Sequence, residues 1–347
     1  MRTEKKMFFI VLCVMSLMMI SCDNGGFFSD GSESKSLVTG QFQNPLNVNY
    51  ASDPMILKDG DYYYLYSTHQ DTLDTGFKVW QSSDMVNWTY QGMAFQKNSS
   101  TWSQHDFWAP EVVKDGSTYY MYYSARDDAA FSQRRICCAS GSDPLGPFTE
   151  VAAPLFDDGA PANIDAHLFK DTDGNLYMYY ARESWFWGAF CENQTWVVSM
   201  NNYTSAKTDY TFCIKATQSW EKISYGGLLK WNEAPWVLKN GNTYYLMYSA
   251  NCYDSKYYGV GYATSSSPKG PWIKYSNNPV LSYTDEVSGP GHHGVVADNG
   301  GQMWMVYHSH MSPSGGGDRQ INIDKMNWDG NNIIINGPTI TLQDYPE

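Results

Sequence analysis

The sequence predicts an all-β chain closed into a five-bladed β-propeller, and three observations carry that prediction. One kind of β-hairpin is written five times at intervals near 60 residues. Further strand signals follow the hairpins, so a repeat holds enough chain for a four-stranded sheet. Acidic residues or a His pair stand near the start of each hairpin, where the innermost strands of a propeller would gather them around one channel.

The hairpins, in order, are "SDPMILKDGDYYYLYST" at 52–68, "APEVVKDGSTYYMYYSA" at 109–125, "IDAHLFKDTDGNLYMYYAR" at 164–182, "EAPWVLKNGNTYYLMYSAN" at 233–251 and "GHHGVVADNGGQMWMVYHSH" at 291–310. Each joins a short apolar strand to an aromatic, β-branched one through Asp, Asn and Gly, residues that suit tight turns. From Asp53 to Glu111, Asp165, Glu233 and His293 the steps are 58, 54, 68 and 60 residues. The outer strands follow in "GFKVWQSSDMVNWTYQG", "RICCASGSDPLGPFTEV" and "YYGVGYATSSSPKGPWIKY", each a strand, a Ser/Asp/Pro turn, and a Trp or Phe opening the next strand.

Residues 1–21 read as a signal peptide: Arg2, Lys5 and Lys6 precede an apolar run, Met7 to Ile20, that is short for a membrane span. The run ends in "MMISC" at 18–22, which resembles a lipobox. That reading makes Cys22 a lipid anchor and places the exported protein at a bacterial membrane, periplasmic or on the cell surface. Residues 22–40, rich in Gly, Ser and Asp, suit a flexible tether. The propeller takes 41–347. The formal net charge is −13, with no basic patch, which argues against a nucleic-acid partner. Aromatics make up 16% of the chain, with 27 Tyr and 13 Trp, and aromatic faces are platforms on which sugar rings stack. Beyond Cys13 and Cys22 an odd number of Cys remains, without CxxC or His/Cys metal spacing.

Several motifs, in order and at blade spacing, resemble family 43 of the glycoside hydrolases: "SDP" with Asp53, "WAPE" at 108–111, "NIDA" with Asp165, "NEAP" with Glu233, "GPGHH" at 289–293, and "DRQINIDKMNWDG" with Arg319. Many relatives read "IDP" where this chain reads "IDA". The resemblance runs from about residue 43 to 340 and implies a five-bladed propeller that hydrolyses arabinose- and xylose-containing polysaccharides with inversion. Inversion needs a protonated acid for the leaving oxygen and a base for water. The resemblance assigns Asp53 as general base, Glu233 as general acid, and Asp165 as the group that orients the acid and tunes its pKa. It brings Arg319 and His292 to the substrate. It also leaves room for a Ca²⁺ or Na⁺ in the channel beside His292, although one imidazole is weak evidence for calcium; no cofactor is required. Glu111 either binds substrate or braces the channel. Trp108 and Trp187, with Trp185, stand in aromatic stretches suited to sugar stacking or to packing between blades.

The leading expectation is an exo-acting α-L-arabinofuranosidase with scope for β-D-xylosidase action on arabinan or arabinoxylan. The alternatives are an endo-1,5-α-L-arabinanase and a surface glycan-binding propeller without catalysis, which the joint presence of Asp53, Asp165 and Glu233 opposes.

Overall fold

Each of the five hairpins forms the two inner strands of one blade. The structure, a computed structural model, describes residues 40–129, 133–187 and 190–347, without the side chains of 184–191. The signal peptide, the tether up to residue 39, and the side chains of Trp185 and Trp187 lie outside the described residues.

The first blade runs through Ala51–Asp59, Tyr62–His69, Gly76–Ser82 and Thr89–Gln96, each strand antiparallel to the next. The second uses His105–Asp115, Thr118–Arg126, Arg135–Gly141 and Thr149–Ala152. The third opens with Asn163–Lys170, Leu176–Trp187 and Phe190–Asn202, and then adds shorter strands. The fourth holds Asn232–Asn240, Thr243–Ala250, Gly259–Ser265 and Ile273–Lys274. The fifth holds Gly291–Ala297, Met303–His310, Arg319–Asp329 and Asn332–Ile335. In the first, second and fourth blades the hairpin closes through two residues led by Gly60, Gly116 or Gly241, at φ of 58° to 59°. A β-carbon there is unfavourable, which is why "DG" and "NG" recur.

Alternation along the second strand of each blade divides its side chains between two neighbours. Tyr64 and Tyr66 pack toward the second blade with Phe77, Phe95, Met121, Tyr123 and Phe148, whereas Tyr63 and Leu65 pack toward the fifth with Trp304, Val306 and Ile323. Tyr245 and Met247 face the fifth blade and Leu246 and Tyr248 the third. The core is therefore five apolar clusters, one in each seam between blades. The runs "YYYLY" and "TYYLMY" are aromatic on both faces because both faces are buried. The largest fully buried side chains are Trp304 and eleven tyrosines, so a large part of the aromatic content serves packing. Cys137, Cys138, Cys213 and Cys252 are buried free thiols in these seams and loops.

The "K[D/N]" word of the hairpins also has a job. Lys114 Nζ lies 2.6 Å from Asp59, Lys170 3.0 Å from Asp115 and Lys239 2.5 Å from Asp171, each reaching back one blade. Lys58 donates to the carbonyl of Asp298 in the fifth blade at 2.9 Å. The most exposed of these pairs, Lys170–Asp115, adds little by itself, whereas Asp171 under Lys239 is buried. The ring closes without a shared blade. Residues 40–49 run along the fifth blade, where the amide of Asn44 and the backbone of Ile323 exchange hydrogen bonds of 2.9 and 3.0 Å and Gln41–Phe42 pairs with Gln343–Asp344.

Candidate active site

The first strand of every blade carries a β-bulge at its inner end. The ladder skips from Ser52 to Met55, Trp108 to Glu111, Ile164 to His167, Glu233 to Trp236 and Gly291 to Gly294. The first bulged residue is left-handed in all five: Asp53 at φ 53°, Ala109 at 47°, Asp165 at 56°, Ala234 at 49° and His292 at 46°. Five non-glycine residues in this region at equivalent places are held by their surroundings, because each costs about 1–2 kcal/mol in isolation. Bulges of this kind re-aim side chains. Here they line one narrow cavity of about 30 Å³ with Pro54, Pro110, Glu111, Pro235, Trp236 and His293.

A ring of hydrogen bonds holds the bulges. The backbone N–H of each first bulged residue donates to a side chain of the preceding blade. Ala109 donates to Thr68 Oγ1 at 2.8 Å, Asp165 to Ser124 Oγ at 3.1 Å, and His292 to Ser249 Oγ at 2.8 Å. In the third blade the place of these hydroxyls is taken by Ala181, opposite Ile164. The N–H of Ala234 turns instead to the carboxylate Oδ2 of Asp165, at 3.1 Å. Asp165 thus holds the peptide that joins Glu233 to Ala234. In the fifth blade the place is taken by His308, whose Nδ1 accepts from the N–H of Asp53 at 3.2 Å. Burial pushes the His308 imidazole down to about 3, so it is neutral and free to accept.

The register corrects two alignments made from spacing. Glu233 is not the equivalent of Asp53 and Asp165. It sits one residue earlier, paired with Ser249, and Ala234 fills the bulge. In the fifth blade the equivalent of Asp53 is His292, not His293.

Around the cavity the sequence-predicted residues divide as follows. Asp53 Oδ1 lies 3.2 Å from Arg319 Nη1 and 3.2 Å from His292 Nδ1. His292 also stands 4.0 Å from Asp165. Arg319 in turn lies over the ring of Tyr253, 5.1 Å from its centroid, and Tyr253 stacks parallel to Trp231. Glu111 occupies the register place of Met55 and turns sideways: it accepts from the N–H of Leu168 and bonds His167 Nδ1, both at 2.9 Å. It braces the second blade to the third, although it also borders the cavity. Trp108 holds in the second blade the register place of Glu233, with the guanidinium of Arg134 3.8 Å from its ring centroid.

The electrostatics separate the three acids, all less than a tenth exposed. Burial alone would raise Asp53, but His292 and Arg319 beside it outweigh burial and hold its carboxyl well below the usual range. Burial also raises Glu233, and the carboxylates of Asp165 and Asp53 raise it further. Tyr258 and Arg319 oppose without prevailing, so it stays well above the usual range. Asp165 is raised by burial and by Asp53, against His292 and the Ala234 amide. One acid is kept ionised and another kept protonated in the same channel, the arrangement that acid–base chemistry on one bond requires.

Two residues of the site were not named from the sequence. His308 breaks the Thr/Ser/Ala pattern at its place in the repeat and could have been found there. Tyr258, whose hydroxyl donates to Glu233 Oε1 at 2.8 Å, sits in "YYGVGY" with nothing local to single it out. Among the described residues no group of three or more His, Cys, Asp or Glu side chains converges to hold a metal ion. His292 would bring one imidazole to an ion that prefers six to eight oxygens, so these residues do not fit a protein-ligated Ca²⁺, and no step below runs through one.

Comparison with known proteins places this geometry. The family model described as "Glycosyl hydrolases family 43" matches residues 42–334. The fold superposes on the crystal structure of a thermostable family-43 glycoside hydrolase with a TM-score of 0.82 at 40% identity, covering 88% of this chain and 99% of that one. Among curated proteins, the β-D-galactofuranosidase xynD of Aspergillus niger is 28% identical over 284 residues, 76% of this chain and 75% of that protein. The extracellular endo-α-(1→5)-L-arabinanase 1 of Bacillus subtilis is 26% identical over 295 residues, 80% of this chain and 84% of the relative.

Proposed function

The chain belongs to family 43 of the glycosyl hydrolases and is a glycosidase, and on that premise we propose that it removes α-L-arabinofuranosyl residues from arabinan or arabinoxylan with inversion, accepting β-D-xylosyl residues as a second substrate. The observation that carries the reading is the opposed tuning of Asp53 and Glu233 in one channel. Asp53, ionised between His292 and Arg319, takes a proton from water as that water attacks the anomeric carbon. Glu233, protonated, gives its proton to the glycosidic oxygen as the C–O bond breaks. Asp165 holds the Glu233–Ala234 peptide and its carboxylate keeps the Glu233 proton in place. Arg319 and His292 reach both Asp53 and the sugar hydroxyls above it. Trp108, Trp187 and Glu111 are proposed to shape the walls for the sugar. A cation beside His292 would be held mainly by water, and nothing in this reaction passes through it.

The experiment is a product profile. Residues 23–347 are incubated with linear 1,5-arabinan and, separately, with arabinoxylan. Arabinose alone from the first minutes, with the anomer first formed inverted by NMR, supports the reading. A ladder of arabino-oligosaccharides replaces it with an endo-arabinanase, the activity named for the Bacillus subtilis relative. No turnover on any pentosan leaves a glycan-binding propeller.

The tuning also sets the pH profile. A depressed Asp53 loses its base form only as pH falls through a value below the ordinary 3.9. A raised Glu233 loses its proton only as pH rises through a value above the ordinary 4.3. The kcat/KM profile is expected to be a bell, its acid limb below the ordinary range of a carboxylate and its alkaline limb well above it. An acid limb centred near pH 6 would remove Asp53 from the role.

We further propose that the protein is exported and anchored through Cys22, as the lipobox-like run predicts. Cys22→Ala is expected to move the protein from the membrane fraction to the soluble one. An unchanged distribution with no incorporated palmitate in the wild type would reject the anchor.

A further inference from the structure

We propose that Tyr258 is a positioning residue for the proton donor: its hydroxyl fixes Oε1 of Glu233 as an acceptor and so leaves Oε2 as the oxygen that delivers the proton. The inference rests on the reading of Glu233 as the general acid and adds to it a second residue and the identity of the reacting atom.

Tyr258 is fully buried, and its hydroxyl lies 2.8 Å from Glu233 Oε1. Among the described residues this is the one hydrogen bond the Glu233 carboxyl receives. The ring cannot swing away. One face lies parallel to the imidazole of His308, with centroids 5.6 Å apart and planes 8° apart. Gly291 lies so close that a β-carbon there would stand 2.3 Å from the phenol ring. The backbone N–H of Tyr258 is tied to the carbonyl of Ser255 at 2.9 Å. His308, behind the ring, accepts the N–H of Asp53, so one buried stack touches both the proposed acid and the proposed base.

A neutral carboxyl has one carbonyl oxygen to accept with and one O–H to donate with. Burial and the neighbouring carboxylates hold the Tyr258 hydroxyl protonated, so it only donates to Glu233. With its proton aimed at Oε1, the acid proton of Glu233 stands on Oε2. In the reaction the Oε2–H bond breaks and the proton passes to the glycosidic oxygen. That oxygen keeps the electron pair of the broken C–O bond, and Glu233 is left as a carboxylate. A hydrogen bond to a carboxylate is stronger than one to a neutral acid. The contact therefore strengthens as the proton leaves, which favours the transition state over the ground state. Glu233 is also faced by Asp165 from the third blade, Asp53 from the first and Arg319 from the fifth, and by Cys252 and Tyr253 from its own blade. None of these is displaced by removing the hydroxyl.

The test is Tyr258→Phe, assayed on an alkyl and a 4-nitrophenyl α-L-arabinofuranoside. The alkyl glycoside, which needs its leaving oxygen protonated, is expected to lose about 10–100-fold in kcat and the nitrophenyl glycoside less than about threefold. The alkaline limb of kcat/KM is expected to move to higher pH. Equal losses on both substrates, or an unmoved limb, would reduce Tyr258 to packing and overturn the proposal. Tyrosine fluorinated on the ring and placed at 258 keeps the shape and strengthens the donor. It should move the limb the other way, which guards against a Phe variant that folds poorly. A readout free of turnover separates this proposal from the activity itself. In protein carrying ¹³C-labelled glutamate, with the Glu233 signal assigned by its loss in Glu233→Gln, that carboxyl should titrate at higher pH in Tyr258→Phe than in the wild type. An unchanged titration sinks the role of Tyr258 whether or not any pentoside is cleaved. A shifted titration in a protein that cleaves none sinks only the activity.

Discussion

Glu233→Gln is expected to lower kcat/KM on arabinan by about 10³-fold, within the range that a positioned proton donor contributes, while binding to the polysaccharide survives. The amide keeps the size of the carboxyl and still accepts from Tyr258, so the site retains its shape. What it lacks is a proton that can leave. Removing a carboxyl that is already neutral also removes no charge from the channel at working pH, so Asp53 should stay ionised between Arg319 and His292. Affinity electrophoresis through an arabinan gel should retard the variant as much as the wild type, and the loss should shrink on a nitrophenyl glycoside. A variant that keeps more than a tenth of its activity on arabinan would take the acid role away from Glu233.

The second large effect is expected at Asp53. Asp53→Asn should cost about 10³–10⁴-fold, and this loss should be nearly the same for good and poor leaving groups, because water must be deprotonated in either case. The backbone N–H that Asp53 gives to His308 is untouched by the change, so the bulge should hold. Arg319 and His292 do lose the charge they share. A rise in KM alongside the fall in kcat would show that they now grip the sugar less well. If the loss at Asp53 followed the leaving group and the loss at Glu233 did not, the two roles would have to be exchanged.

Much of this site is written in short words that survive reading in one dimension. "SDP", "NIDA" and "GPGHH" place Asp53, Asp165 and His292 in three bulges because the word and the bulge lie on the same strand. The hairpins were legible for the same reason: the turn and its two strands are contiguous, and period-2 alternation is local. Glu233 was misaligned by one residue, since its register depends on where the bulge skips the partner strand, and spacing counted along the chain does not contain that. Tyr258 and His308 act through contacts to residues 25 and 255 positions away, and neither has a local pattern that names its partner. The aromatic content is ambiguous because stacking on sugar and packing between blades select the same residues. Only the five seams, where both faces of the second strands are covered, tell the two apart.

The ring of left-handed bulges has five seats, and two of them, Ala109 and Ala234, hold a methyl group. In those two seats the backbone geometry and its hydrogen bond are complete without any functional side chain. Building the seat and filling it are therefore separate problems. A lineage with this architecture can change its chemistry by exchanging an occupant, with no new loop and no new strand. The alanines mark where the next side chain could be seated, already aimed at the axis.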